Sequence, residues 1–402
     1  MKEIKQIKER VILHADVNNF YASVECALKP ELRSLPVAVT GNPKKRTGII
    51  LAKNEIAKHM GVKTGQVIGE AVALCPDLVC LPPHYNLYED ISLALHNMYL
   101  EYTNFVEPLG LDECWLDVTH SLNYLKKSGE EIANELRERA KKEFNLTISV
   151  GVSFSKIFAK LGSDLRKPDF TTVISFNTFK EQTYHLALNS IVGIGRRLEK
   201  KFSAIGVNTI GDFVQLEDSF LKSVMGINGT NLKEDLLGIR SVPVLDYYAL
   251  PPPKSIGNGT TTTENIFTLA QVEKVIYFLA QKVSSRMLRH KVKGETISLT
   301  IKNANLKSVH KSKKIRPTNE VKEISKEAMK ICIEIFDFKS PVRAVRLKMS
   351  SLTSADIVQL SFFDTPKDNL SKAIDKINHS YGKIILASNL SNFINNSDTP
   401  HT

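Results

Sequence analysis

Three acidic side chains stand where burial argues against them. Asp16 ends the apolar run Val11-Ile12-Leu13-His14-Ala15, which reads as a buried strand. An ionised carboxylate there is costly unless something pairs with it. Asp112 and Glu113 interrupt a second apolar stretch, with Leu109-Gly110-Leu111 before them and Cys114-Trp115-Leu116 after. On a regular strand these two would face opposite sides, but Gly110 permits a tight turn that brings both towards one point. If the two strands are neighbours, the three carboxylates converge. Such a cluster calls for hard divalent cations with oxygen ligands. Two Mg²⁺ ions held about 3.5–4 Å apart clamp the attacking and leaving oxygens of a phosphoryl transfer. Taken singly, each acid has an ordinary alternative, Asp16 as a helix cap and the other two as solvated loop residues. The apolar flanks on both sides favour the joint reading.

The elements that must carry these acids follow from pattern. Val37–Thr40 and Gly48–Ala52 read as strands around a basic turn at 42–46, and Asn54–Met60 as a helix stopped by Gly61. Residues 87–105 form a long helical pattern, and Val106–Thr119 a hairpin turning near Gly110. A charged amphipathic helix over 130–144, a β-rich run over 147–152 and a helix over 155–165 come next. This irregular alternation predicts an α+β domain with a mostly antiparallel sheet up to about residue 175. Residues 175–240 are helical with short loops. Pro251-Pro252-Pro253 marks a stiff linker. Beyond it, β-rich runs at 296–302 and 342–350 alternate with helices at 269–290 and 319–336, giving a smaller α+β domain. The Asn/Ser-rich end predicts disorder in at least the last dozen residues.

Composition narrows the partners. The 402 residues carry a formal charge of +11, and residues 241–350 alone hold 20 basic and 9 acidic side chains, so the whole surplus lies in one segment. A localised surplus points to a polyanion, and nucleic acid is the reading preferred over a merely basic surface. Lys311, Lys313, Lys314 and Arg316 are its densest cluster. No apolar run is long enough for a membrane helix, and the charged N-terminus shows no signal peptide. Five cysteines without a C-x-x-C pair argue for a cytoplasmic, reducing setting.

Two further motifs carry binding chemistry. Gly193-Ile194-Gly195 precedes helix formers and reads as a helix-hairpin-helix, whose backbone N–H groups hold a DNA phosphate without reading sequence. Gly226 and Gly229 could form a related turn. Gln359-Leu360-Ser361-Phe362-Phe363 sets an aliphatic residue and two aromatics in a polar tail, the pattern of a peptide that docks elsewhere. A last strand of the basic domain is the alternative.

The string Asp16-Val17-Asn18-Asn19-Phe20-Tyr21-Ala22-Ser23-Val24-Glu25, with Leu111-Asp112-Glu113-Cys114-Trp115-Leu116-Asp117 downstream, resembles the Y-family DNA polymerases, and most nearly the bacterial polymerase IV (DinB-type) group. The resemblance runs from about residue 11 to 365. It implies a multidomain α+β right hand, with an antiparallel-sheet palm (1–19 and 85–174), small fingers (20–84), a helical thumb (175–240), a linker (241–253), an α+β little finger (254–350) and a tail (351–402). It implies translesion synthesis from dNTPs on primed template DNA, with low fidelity, by a monomer that docks on the bacterial sliding clamp through Gln359, Leu360, Phe362 and Phe363.

Matched residue by residue, Asp16, Asp112 and Glu113 are the acids that bind two Mg²⁺ ions, together with the backbone carbonyl of Val17. Tyr21 is the steric gate that excludes a 2′-hydroxyl, Phe20 a core residue, and Lys167 a lysine that reaches the triphosphate. Phe158-Ala159-Lys160 is assigned to helix packing. Where much of the family has a Tyr and an Arg on the triphosphate, this chain has Glu55 and Lys58. Lys58 keeps a charge without a bidentate fork, while Glu55 would repel phosphate and is expected to pair with a neighbouring lysine. Gly110 replaces a serine common in the family, with no ligand lost. Other readings are a catalytically inactive DNA- and clamp-binding relative, favoured only by Glu55 and Lys58, and a nucleotidyl cyclase, which leaves the basic segment unexplained.

Overall fold

The computed structural model describes residues 9–42 and 48–355, together with Ile7. The chain divides into two compact units, one of residues 1–41 and 49–250 and another running from Pro251. In chain order the main elements of the first are β1 (Ile12–Val17), α1 (Phe20–Leu28), β2 (Val37–Thr40), β3 (Ile50–Lys53), α2 (Glu55–His59), β4 (Val79–Leu81), α3 (Tyr85–Leu100), β5 (Val106–Pro108), β6 (Glu113–Asp117), α4 (Gly129–Phe144), β7 (Ile148–Ser153), α5 (Lys156–Leu165), β8 (Thr171–Ile174) and α6 (Arg196–Ser203).

The site is built on a five-stranded sheet ordered β5-β6-β1-β7-β8, antiparallel except for the last pair. Side chains alternate across it. Leu13, Ala15, Val17, Cys114, Leu116, Ile148 and Val150 turn to one face and pack with Tyr88, Leu95 and Met98 of α3 and Ile132 and Leu136 of α4. His14, Asp16, Glu113 and Trp115 turn to the other face, beneath α5. The core on the first face fixes the register, because a one-residue slip would move every apolar side chain to the wrong side.

Two glycines let α5 approach this closely. A Cβ on Gly151 of β7 would lie 1.9 Å from the Ala159 carbonyl oxygen and 2.5 Å from the Ser163 nitrogen. On Gly162 it would lie 3.2 Å from the Gly151 Cα. The helix backbone therefore rests directly on the strand.

A three-stranded sheet ordered β3-β2-β4 carries α2 at the end of β3. Between β8 and Leu250, short helices close around Phe154, Phe158, Phe179, Phe202 and Phe213.

The second unit holds β9 (Ser255–Ile266), α7 (Leu269–Arg289), β10 (Val292–Asn303), β11 (Ser308–Thr318), α8 (Val321–Ile335) and β12 (Val342–Ser354). Its sheet is antiparallel, ordered β11-β10-β12-β9. Ile297, Leu299, Ile301, Val345, Leu347 and Met349 turn to α7 and α8, and the opposite face is polar. Hydropathy predicted only β10 and β12. The remaining two strands are the sheet edges, whose polar and charged side chains hide the alternation of a strand.

Candidate active site

Asp16 and Glu113 are direct cross-strand partners on β1 and β6. Asp112 stands just before β6, where Gly110 turns the chain with φ +90°. The Val17 N–H donates to the Asp112 carbonyl at 2.9 Å, locking the turn to the end of β1. The structure thus brings the three acids to one corner of the sheet.

Two lysines fill the space between them. Lys160 of α5 donates to Asp16 Oδ2 at 2.9 Å and to Glu113 Oε1 at 3.0 Å. Lys167 Nζ lies 2.7 Å from Asp16 Oδ2. Asp164 completes the group, 3.1 Å from Lys160 and 2.7 Å from Lys167. Among the described residues no three His, Cys, Asp or Glu side chains are grouped as a metal centre. Asp16 and Glu113 are turned onto ammonium groups instead. The chemistry of the corner, three carboxylates and a backbone carbonyl, is the hard oxygen set that suits Mg²⁺.

The electrostatics separate the acids. Burial pushes the Asp112 carboxyl up to about 6, with Asp16 and Glu113 adding to the rise. Burial would also raise Glu113, but neighbouring His14 and Lys160 outweigh it and hold the group at about 2. His14 is buried, and that burial lowers its pKa. Its Nδ1 lies 2.9 Å from Ser163 Oγ, and its Nε2 stops 3.6 Å from Glu113 Oε2.

Tyr21 leaves the first turn of α1 half-buried, with Tyr85 edge-on at 6.1 Å. Phe20 is buried in the core, as expected. Asn19 adopts φ +54° between Asp16 and Tyr21, and its Nδ2 donates to Glu55 Oε1 at 2.8 Å. Lys58 Nζ sits 3.2 Å from both Glu55 oxygens, so Glu55 pairs with the neighbouring lysine.

Elsewhere, Gly193 has φ +101° and Gly195 caps the start of α6, both facing open space. The lysines of β11 split between environments. Lys311 and Lys313 pair with Glu334 and Glu327 of α8, on the helix side, whereas Lys314 is 80 % exposed and only loosely paired with Glu295. Arg316 is exposed. On the open face, Arg346 and Lys348 of β12 stand opposite Gly259 and Gly257 of β9, beside Arg286. Gln359, Leu360, Phe362 and Phe363 lie outside the described residues.

Sequence reasoning missed Lys160, which does more than pack α5. Its one signal was the i,i+4 spacing of Lys160 to Asp164 on the same helix face. It also missed Arg346 and Lys348, which alternate with core residues of β12 and are revealed only by the open face.

Comparison with known proteins completes the assignment. Residues 15–164 match the impB/mucB/samB family, and residues 253–362 match the impB/mucB/samB family C-terminal domain. A solved Y-family DNA polymerase chimera, Dbh-Dpo4(243-245)-Dbh, superimposes with a TM-score of 0.75 over 86 % of this chain and 99 % of that one, at 23 % identity. The fold is therefore the right-hand α+β architecture of that class. The chain is 39 % identical to DNA polymerase IV of Acetivibrio thermocellus, over 93 % of its own length and 95 % of the relative's. It is 33 % identical to DNA polymerase IV 1 of Bacillus subtilis, over 93 % and 91 %. The chain belongs to the Y family of DNA polymerases, and is a metal-dependent, DNA-directed DNA polymerase.

Proposed function

We propose that the protein is a translesion polymerase of the polymerase IV type, transferring a nucleotide from dNTP to a primer 3′-hydroxyl with low fidelity. The observation that carries this reading is the pairing of Asp16 with Glu113 across β1 and β6, with Asp112 at the adjoining turn. Asp16, Asp112, Glu113 and the Val17 carbonyl would hold two Mg²⁺ ions, which when bound lower the pKa of the 3′-hydroxyl and neutralise the triphosphate. Lys167 leaves Asp16 for the triphosphate, and Lys58 gives a second point charge there. Tyr21 packs under the deoxyribose and clashes with a 2′-hydroxyl. No side chain is needed as general base.

DNA is held through its backbone, by the N–H groups at Gly193 and Gly195 and by Lys314, Arg316, Arg346 and Lys348, with Lys311 and Lys313 at the sheet edge. Gln359, Leu360, Phe362 and Phe363 dock on the sliding clamp, and the enzyme works as a cytoplasmic monomer. Among the described residues no helix is long and apolar enough to cross a membrane.

The test is primer extension with Mg²⁺ across undamaged and damaged templates. Asp112→Ala and Glu113→Ala should abolish extension while leaving DNA binding intact. Full extension by either variant would refute the metal assignment.

A further inference from the structure

We propose that Lys160 is a positioning residue: a resident cation that holds Asp16 and Glu113 together before a divalent ion arrives, and competes with that ion for them. The proposal rests on the reading of these acids as metal ligands.

Lys160 is 7 % exposed, in the middle of α5. An ammonium buried this deeply persists only when opposite charge surrounds it. Asp16, Glu113 and Asp164 supply that charge at 2.9, 3.0 and 3.1 Å.

Its position is set by backbone. Gly151 and Gly162 allow α5 to sit on β7 with no side chain between, so the Lys160 backbone has no slack towards or along the sheet. Lys167 is different. It follows α5, its side chain is 29 % exposed, and it touches Asp16 and Asp164 but makes no ion pair with Glu113. Lys167 can swing away, whereas Lys160 is built in.

Without Lys160, two facing carboxylates on β1 and β6 would repel each other in a largely dry corner, and their side chains would turn apart. With it, both point at one ammonium. An entering cation finds the acids gathered, but meets the repulsion of a fixed positive charge about 3 Å from two of its ligands. Asp112 makes no ion pair among the described residues, which leaves it open to a first contact.

The experiment measures metal binding without nucleotide or DNA. Trp115 is the single tryptophan and stands opposite His14, two residues along β6 from Glu113, so its fluorescence reports on the site. Titrating Mn²⁺ into Lys160→Met should show binding tighter on the order of ten-fold than in the parent protein, because the competing charge is gone. The metal-free melting temperature should fall, and the rise on adding Mn²⁺ should exceed the parent's. Lys160→Gln, which keeps donors without the charge, should behave alike. A lysine that only packs the helix would lower both melting temperatures equally. Unchanged or weaker Mn²⁺ binding in the Lys160 variants, with weakened binding in Asp16→Asn, would overturn this inference alone. Undiminished binding by Asp16→Asn would overturn the metal reading, and this inference with it.

Discussion

Tyr21 lies flat against Tyr88, with ring centroids 4.4 Å apart and planes 14° from parallel. Tyr88 is itself fixed, since its hydroxyl donates to the buried Glu25 Oε1 at 2.5 Å, and His84 Nδ1 lies 2.7 Å from the same oxygen. Glu25 stands one helical turn beyond Tyr21 on α1, so the helix that presents the tyrosine also anchors the ring behind it. In the proposed gate, a ring backed in this way would not retreat from an added oxygen on the sugar.

Replacing Tyr21 with Ala removes that wall. The ratio of kcat/KM for dNTP over rNTP should fall by at least about ten-fold, since the gate discriminates by steric exclusion. Single-nucleotide incorporation with matched dNTP and rNTP measures it. Unchanged sugar selectivity would take the gate role away from Tyr21.

Asp112 should cost stability when no metal is bound. Asp112 is raised to about 6 in the folded protein against an ordinary value of 3.8. The folded state thus binds its proton more tightly than the unfolded chain. That contribution is fully present below about pH 4 and is lost as pH rises through about 6. Asp112→Asn in EDTA should therefore be more stable than the parent at pH 7, on the order of 2 kcal/mol after discounting for partial exposure, with the gain shrinking towards pH 4. Urea denaturation at several pH values checks this. A variant less stable than the parent at pH 7 would show that Asp112 is stabilised rather than strained.

The seat of α5 can be tested through Gly151. An Ala there drives a methyl into the Ala159 carbonyl at 1.9 Å, a contact relieved only by moving the helix. The cost should be about 3 kcal/mol or more, at the upper end of core overpacking. Activity should fall with it, because α5 carries Lys160. Denaturation midpoints and primer extension read the two effects, and a neutral Gly151→Ala would mean that the helix sits higher than described.

The palm-like half of the fold was legible because its signals are local. Asp16 and the Asp112-Glu113 pair are carboxylates in apolar surroundings, and Gly110 announces the turn between β5 and β6. What escaped was set by tertiary partners. Lys160 meets Asp16 across 144 residues of chain, and no spacing rule links them. The edge strands β9 and β11 carry Thr, Asn, Ser and Lys where a buried strand would carry Val or Ile, so hydropathy could not find them. Reading Lys311, Lys313, Lys314 and Arg316 as one patch failed to anticipate the two faces of β11.

That split gives a prediction for the second unit. Arg346→Ala with Lys348→Ala removes from the open face two charges that make no ion pair among the described residues, and should weaken binding to primed duplex while reducing the salt dependence by about two phosphate contacts. Lys311→Ala with Lys313→Ala removes charges already tied to Glu334 and Glu327, and should have the smaller effect. Fluorescence anisotropy over a salt series separates them. The reverse order would place DNA on the helix side of β11.

Glu55 offers the sharpest test of the nucleotide pocket, because it is a negative charge where triphosphate binding is proposed. It has two jobs that a single substitution can part. Its Oε1 accepts from Asn19, which braces the turn leading to Tyr21, and its charge holds Lys58. Glu55→Gln keeps an acceptor for Asn19 and removes the charge. The Lys58 side chain is 47 % exposed, so the lost ion pair should change stability by less than about 1 kcal/mol. Lys58 is then free for phosphate, and the repulsion from Glu55 is gone. The KM for dNTP should drop several-fold with kcat little changed, an effect that weakens at high salt. In the Lys58→Ala background the same substitution should give a smaller drop, since only the repulsion remains to be relieved. A KM that stays constant in Glu55→Gln would put both side chains outside the triphosphate site, and Lys167 would be left as its lysine.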